Sequence, residues 1–324
     1  YEPRPLDLED HQTKWHDRLA DDTAVAAFVD DLRTRDDPGQ DAFDLSDGLS
    51  LSEAELVALV FNPDLRLARL RAGLAEASAE HAGRWDDPEL SLDLLRITEN
   101  VSKPWIVTPG LSVTLPISGR LSAEKQRASA TSRMELTRVA EAEWAVRHEL
   151  RYAWWAWSAN TLRLEETTRA LDTLAALVDA TSRLAKAGEM PKPEAALFGI
   201  EQARLQQTTR RLEAQRIAWE HKLRAMMGLS PDAPLELETA RLAIVLPDAA
   251  SKDRVASHNL SLARLEDAYD VAEQSLFIEI RKQYPDLTIG PLYESDQGQS
   301  SIGIGASLPI PILNRNQQGI AQAK

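Results

Sequence analysis

With 51 acidic against 37 basic residues and a formal charge of −14, this 324-residue chain lacks the basic face that a nucleic-acid groove needs. It contains no cysteine, which excludes a disulfide framework and a thiolate zinc site, and 43% hydrophobic content excludes disorder by composition. No run approaches the roughly 18–20 consecutive apolar residues of a membrane helix, although the alternating strands of a membrane barrel escape such a scan. Absence of cysteine suits an oxidising compartment such as a periplasm. No signal peptide is visible, so the sequence beginning at Tyr1 can be a mature or trimmed form.

Residues 1–50 are acidic, carry Pro3 and Pro5, and predict an extended segment with one short helix around 22–35. In "LSLSEAEL", 49–56, Ser52 is placed to cap a helix while Glu55 reaches back, with Leu51 and Leu56 as a hydrophobic staple. That helix should run to Phe61, where Asn62-Pro63 ends it and starts another. The pair covers 52–84, with Leu67 and Leu70 on the buried side of the second helix and its end near Gly83.

Period-two alternation follows. Leu90, Leu92 and Leu94 oppose Glu89, Ser91 and Asp93, giving a strand over 88–96. A polar connection with Asn100, Lys103 and Pro104 leads to "GLSVTLPI", where Leu111, Val113, Leu115 and Ile117 oppose Ser112, Thr114 and Pro116 over 110–117. The two strands read as an antiparallel hairpin.

From Arg120 to Ala187 neither Gly nor Pro occurs. At 1.5 Å per residue this predicts a helix of roughly 100 Å. Leu164, Leu171, Val178 and Ala185 recur every seven residues, as do Phe198, Leu205, Leu212, Trp219 and Met226 on the returning arm. Between them "KAGEMPKPEA" supplies Gly188 as a C-cap and Pro191 and Pro193 as a new start. Two heptad seams joined by a tight turn predict an antiparallel coiled-coil hairpin over 119–228, with Gly228 capping its second arm. Pairing about the turn sets Met227 near residue 152, so "RYAWWAW", 151–157, falls where the shorter arm stops. Packing against neighbouring chain is the better reading of that tryptophan cluster than a ligand site.

The plan then begins again. "LARL" occurs at 67–70 and 262–265, "DPELSLD" at 87–93 resembles "YPDLTIG" at 284–290, and "LPI" occurs at 115–117 and 308–310. The order helix, strand, strand, helix is laid down twice. Three segments result: 1–50, an N-terminal segment; 51–250, a first repeat closing in a connecting segment at 229–250 that contains Pro247; and 251–324, a second repeat. The second repeat comprises a helix over 252–282, strands over 285–293 and 301–310, and the start of a further helix. The duplication predicts a second helical hairpin past Lys324, so the chain reads as C-terminally incomplete.

Alternation alone fits a soluble sandwich and a membrane barrel equally well. Coupling to helices of roughly 100 Å favours the barrel, because such helices cannot wrap a small sandwich. Four strands cannot close a barrel, whereas three copies supply twelve, an allowed even number. The lipid-facing set is then Leu90, Leu92, Leu111, Val113, Leu115, Ile302, Ile304 and Leu308. Ser112, Thr114, Gly303, Gly305 and Ser307 face the lumen.

The same order of elements, with "NPDLRLARLRAGLAEA", "LPISGRLSAEKQRA", "AGEMPKPEAALFGIEQARLQ", "MMGLSPDAPLEL" and "SLPIPILNRNQQGIAQAK", resembles the TolC-like outer-membrane factor family. The likeness is nearest its heavy-metal and drug efflux branch and runs from about residue 50 to the end. It implies a mainly α protein with a membrane β-hairpin pair: long coiled-coil hairpins form an α-barrel, and four strands per protomer enter a trimeric twelve-stranded β-barrel. It implies a homotrimer in outer-membrane lipid, with its tunnel in the periplasm, docked on a periplasmic adaptor and an inner-membrane pump of the resistance-nodulation-division type. At the periplasmic tip the family's docking arginine and glycine map onto Arg183 and Gly188, with Glu189 beside them. Helix capping explains Gly188 equally well, and a favourable helix C-terminus explains Arg183.

Catalysis finds no support. Histidines 11, 16, 81, 148, 221 and 258 form no pair at helical ligand spacing, and no phosphate loop, nucleophile elbow or metalloprotease motif occurs. No enzyme activity, cofactor or metal is expected. The alternative from another class is a soluble periplasmic coiled-coil adaptor or scaffold without a channel.

Overall fold

The computed structural model describes residues 2–3, 5–34, 43–98, 103–240, 252–296 and 299–324. The Asn100 part of the first hairpin connection and the segment around Pro247 lie outside them. The chain divides into two units, each discontinuous: residues 1–67 with 141–249, and 68–140 with 250–324.

The first unit holds helices α1 (Leu8–His16), α2 (Thr23–Thr34) and α3 (Leu51–Phe61), the start of α4 (Pro63–His81), most of α5 (Arg120–Ala187), and α6 (Lys192–Met226). Helix α1 has no apolar stripe; Asp7 caps it by accepting from the Glu9 and Asp10 amides. The capping box of α3 is Ser50 with Glu53, not Ser52 with Glu55. Both pairs have the required spacing, and the earlier one wins because Glu53 also accepts from the Asp44 amide at 2.7 Å, while Glu55 is held by Arg151. Asn62 ends α3 and caps α4 through its side-chain oxygen, 3.0 Å from both the Asp64 and Leu65 amides.

Along α5, residues 164, 171, 178 and 185 are half-buried, as are 198, 205, 219 and 226 on α6, while Leu212 is buried. Asn160 donates to Gln215 at 3.2 Å across the two arms. Two buried threonines interrupt the apolar seams without leaving a donor unmet: Thr181 donates to the Leu177 carbonyl and Thr209 to that of Leu205. Where α6 stops, a core gathers Val25, Val29, Val57, Leu150, Trp154, Trp157, Leu223 and Met227. Gly228 turns the chain there with φ +68°, and a Cβ at that point would lie 2.1 Å from the Phe61 carbonyl oxygen. Only glycine fits.

The second unit holds the rest of α4, the start of α5, helices α7 (Lys252–His258), α8 (Leu260–Arg281) and α9 (Gln317–Ala323), and one sheet. Its strands β1 (Glu89–Arg96), β2 (Trp105–Leu115), β3 (Leu287–Asp296) and β4 (Gln299–Ser307) follow one another in an antiparallel meander. Strand β2 starts five residues before the expected 110, because "WIVT" continues the β-branched and aromatic run and pairs fully with β1. It ends at Leu115: Pro116 donates no hydrogen bond, so Ile117 falls outside the ladder. Strand β4 likewise ends at Ser307, and Leu308 lies one residue beyond it.

On α4 the expected faces are reversed. Ala68, Ala72 and Ala75 are buried, while Leu67 and Leu70 are exposed. Small residues allow close helix contact, so the alanine stripe takes the interior.

Candidate functional site

The sheet separates chemistry by face. Its register places Leu90, Leu92 and Leu94 of β1, Val107, Leu111, Val113 and Leu115 of β2, Leu287 and Ile289 of β3, and Ile302 and Ile304 of β4 on one side. Glu89, Ser91 and Asp93, Thr108, Ser112 and Thr114, Thr288 and Glu294, and Ser301, Gly303 and Gly305 share the other, with Leu95, Ile106 and Leu292 its apolar exceptions. On that polar side the Thr114 and Thr288 hydroxyls meet at 3.0 Å. The apolar side is uncovered: Leu90 is 81% exposed and Ile304 86%. Of the predicted lipid-facing residues, all lie on this face within strands except Leu308.

Where strands give way to helix, Arg120 gathers three carboxylates that sequence reading missed. It stands 2.6 Å from Glu124, 3.6 Å from Asp86 and 3.7 Å from Asp286, whose other oxygen accepts from the Ser118 amide at 3.0 Å. Burial alone would lower the guanidinium pKa, but the Glu124 bond and the Asp286 and Asp86 charges outweigh it and raise it. The available signal was a cation in the first turn of a helix, where the macrodipole disfavours it unless acids attend.

The second repeat makes a different junction. Asn316, at φ +50°, donates to the Glu279 carbonyl at 2.8 Å and to its carboxylate at 2.7 Å, and Gln283 donates to the Arg315 carbonyl at 2.7 Å. Hydrogen bonds from Lys282 first and Asn316 next hold the Glu279 carboxyl below the usual glutamate range. A depressed pKa contributes stability above the ordinary value, lost as pH falls through the folded one. Docking of α9 should therefore loosen below about pH 4. Protection of the Ile320 amide against hydrogen exchange, corrected for intrinsic rate, should fall there in the wild type and stay low and flat in Glu279→Gln.

At the α5–α6 turn, Gly188 adopts φ +84° and donates to the Ala185 carbonyl, while the Glu189 amide donates to that of Leu184 at 3.0 Å. Both residues thus close a Schellman cap. Arg183 pairs with Asp179 at 3.4 Å, one turn earlier on the same exposed face. The three predicted residues sit together on one solvent-facing tip, beside the exposed Leu184.

The tryptophan cluster divides. Trp154 and Trp157 are buried, their rings 5.9 Å apart, with the Trp154 indole donating to the Glu238 carbonyl at 3.2 Å. Tyr152 and Trp155 point outward. Among the described residues no group of three or more metal-ligating side chains occurs, and no helix is long and apolar enough to cross a membrane.

Residues 57–229 match the family model of outer membrane efflux proteins, which is more than half of the chain, and the chain belongs to that family. A curated relative is the cobalt-zinc-cadmium resistance protein CzcC of Cupriavidus metallidurans, 24% identical over 284 residues. The match covers 85% of this chain and 66% of that relative's length. The fold matches that of VceC, an outer membrane protein of Vibrio cholerae, with TM-score 0.69 at 17% identity, over 84% of this chain and 71% of that one. It also matches CusC, with TM-score 0.70 at 14% identity, over 89% and 72%.

Proposed function

We propose that the chain is the outer-membrane channel component of a tripartite efflux system, a passive exit duct built from three copies. One observation carries the reading: a four-stranded sheet with one apolar face and one mostly small or polar face, and with β1 and β4 unpaired at its edges. Unpaired edges cannot face lipid, so β1 of one copy and β4 of the next must meet. Twelve strands then close around a polar lumen with the apolar face outward. The long α5–α6 hairpins continue the passage through the periplasm, and the tip at Arg183, Gly188 and Glu189 docks a periplasmic adaptor that delivers substrate from an inner-membrane pump of the resistance-nodulation-division type. Relatedness to a cobalt-zinc-cadmium resistance protein supports heavy-metal cations, with drugs as the other class. The protein performs no catalytic step. A soluble adaptor gives no reason for a bare apolar sheet face.

The test is fractionation of cells expressing the full-length protein. Recovery in the outer membrane as a trimer that dissociates on heating supports the duct; recovery as a soluble monomer rejects it.

A further inference from the structure

Arg96 is the only permanently charged residue on the apolar face of the sheet among the described residues. It pairs across the ladder with Trp105, the last rung before the Ile97 amide closes onto the Pro104 carbonyl at 2.7 Å. The guanidinium carbon lies 5.8 Å from the indole centroid, and Arg96 has no ion-pair partner among the described residues. The acids of the neighbouring ladder, Asp93, Glu294 and Asp296, all take register positions of the opposite face. Lys103, in the adjoining connection, adds a second positive charge at this end of the strands.

Position along the strand gives the pair its meaning. Strand β2 has 11 residues, within the roughly 9–11 that cross a hydrocarbon layer at a tilt. Its apolar face runs unbroken from Leu115 to Val107 and ends at Trp105. At the other end, exposed Trp85 and Tyr284 precede β1 and β3. Aromatic residues at both limits of an apolar band mark the two water interfaces. An exposed arginine beside an indole at such a limit can reach headgroup level and present a fork of donors that matches phosphate. No anion among the described residues competes for it.

We propose that Arg96 and Trp105 together bind a phosphomonoester on an anionic lipid of the outer leaflet, whose greater negative charge and free oxygens suit the guanidinium fork better than the zwitterionic phosphodiester of phosphatidylcholine. Arg96 donates to the phosphate oxygens, and the Trp105 ring fixes the guanidinium plane and packs on the lipid's apolar body. This rests on the barrel reading above, which puts the hairpin end of the ladder outside.

The test uses the full-length protein in phosphatidylcholine vesicles containing either phosphorylated or fully dephosphorylated lipid A, reading the temperature at which the trimer dissociates. The phosphorylated lipid should raise that temperature in the wild type, and the dephosphorylated one should not. Arg96→Ala and Arg96→Met should lose the rise while matching wild type in phosphatidylcholine alone, Arg96→Lys should keep part, and Trp105→Leu should reduce it. An equal rise in Arg96→Met and wild type, or a rise with the dephosphorylated lipid, overturns the proposal. Failure of the wild type to insert into any vesicle as a trimer overturns the barrel reading and the proposal with it.

Discussion

Ile304→Arg should abolish recovery of the protein in the outer membrane, whereas Gly303→Arg, one residue earlier, should leave it assembled. Both sit near the middle of β4 and differ only in the face they occupy. An arginine on the lipid side at mid-membrane costs about 2–4 kcal/mol, and three copies multiply it. A Cβ at Gly303 would meet no heavy atom within 4 Å, so a long side chain there can extend into water. The measurement is the fraction of each variant in the outer membrane as a heat-labile trimer. Equal loss in both variants would mean that β4 tolerates no bulk on either face. Equal assembly would mean that the apolar face does not meet lipid.

Trp154→Ala should destabilise the helical unit by about 3–5 kcal/mol, the usual loss when a fully buried large aromatic is removed from a core. Trp154 has no exposed surface, packs among Val57, Leu150, Leu223 and Met227, and stacks edgewise on Trp157. Its indole also satisfies the Glu238 carbonyl, which would lose its donor. Trp155→Ala, next in sequence but 41% exposed, should cost much less. Chemical denaturation followed by far-ultraviolet circular dichroism separates the two. A Trp154→Ala midpoint close to wild type would remove this cluster as the point that fixes the end of the hairpin.

Much of this arrangement was legible in the sequence because its signals are periodic and long. Sixty-eight residues without a breaker gave α5 its limits, and the alternation in β1 and β2 was enough to assign the two faces. Gly188 and Gly228 announced where each arm of the hairpin ends, since few other residues adopt a positive φ there. What failed to show was set by tertiary choice. Two overlapping capping boxes had equal local merit, and contacts outside the helix decided between them: the Asp44 amide engages Glu53, and the distant Arg151 engages Glu55. Leu67 and Leu70 looked like core because hydrophobicity says nothing of how closely two helices approach; alanines took that face. Arg120 with Asp86, Glu124 and Asp286 joins residues far apart in the chain, and no spacing rule links them. The Arg96–Trp105 pair required the register, which starts β2 at the tryptophan.

Cysteine labelling along β1 tests the central claim most directly, because these 324 residues contain no cysteine to interfere. Ser91→Cys, Leu92→Cys, Asp93→Cys and Leu94→Cys, introduced singly into the full-length protein in intact outer membranes, would be treated with a water-soluble maleimide. Labelling at 91 and 93 with protection at 92 and 94 is the result expected of a polar lumen wall backed by lipid. Uniform labelling of all four positions, or the opposite alternation, would contradict it.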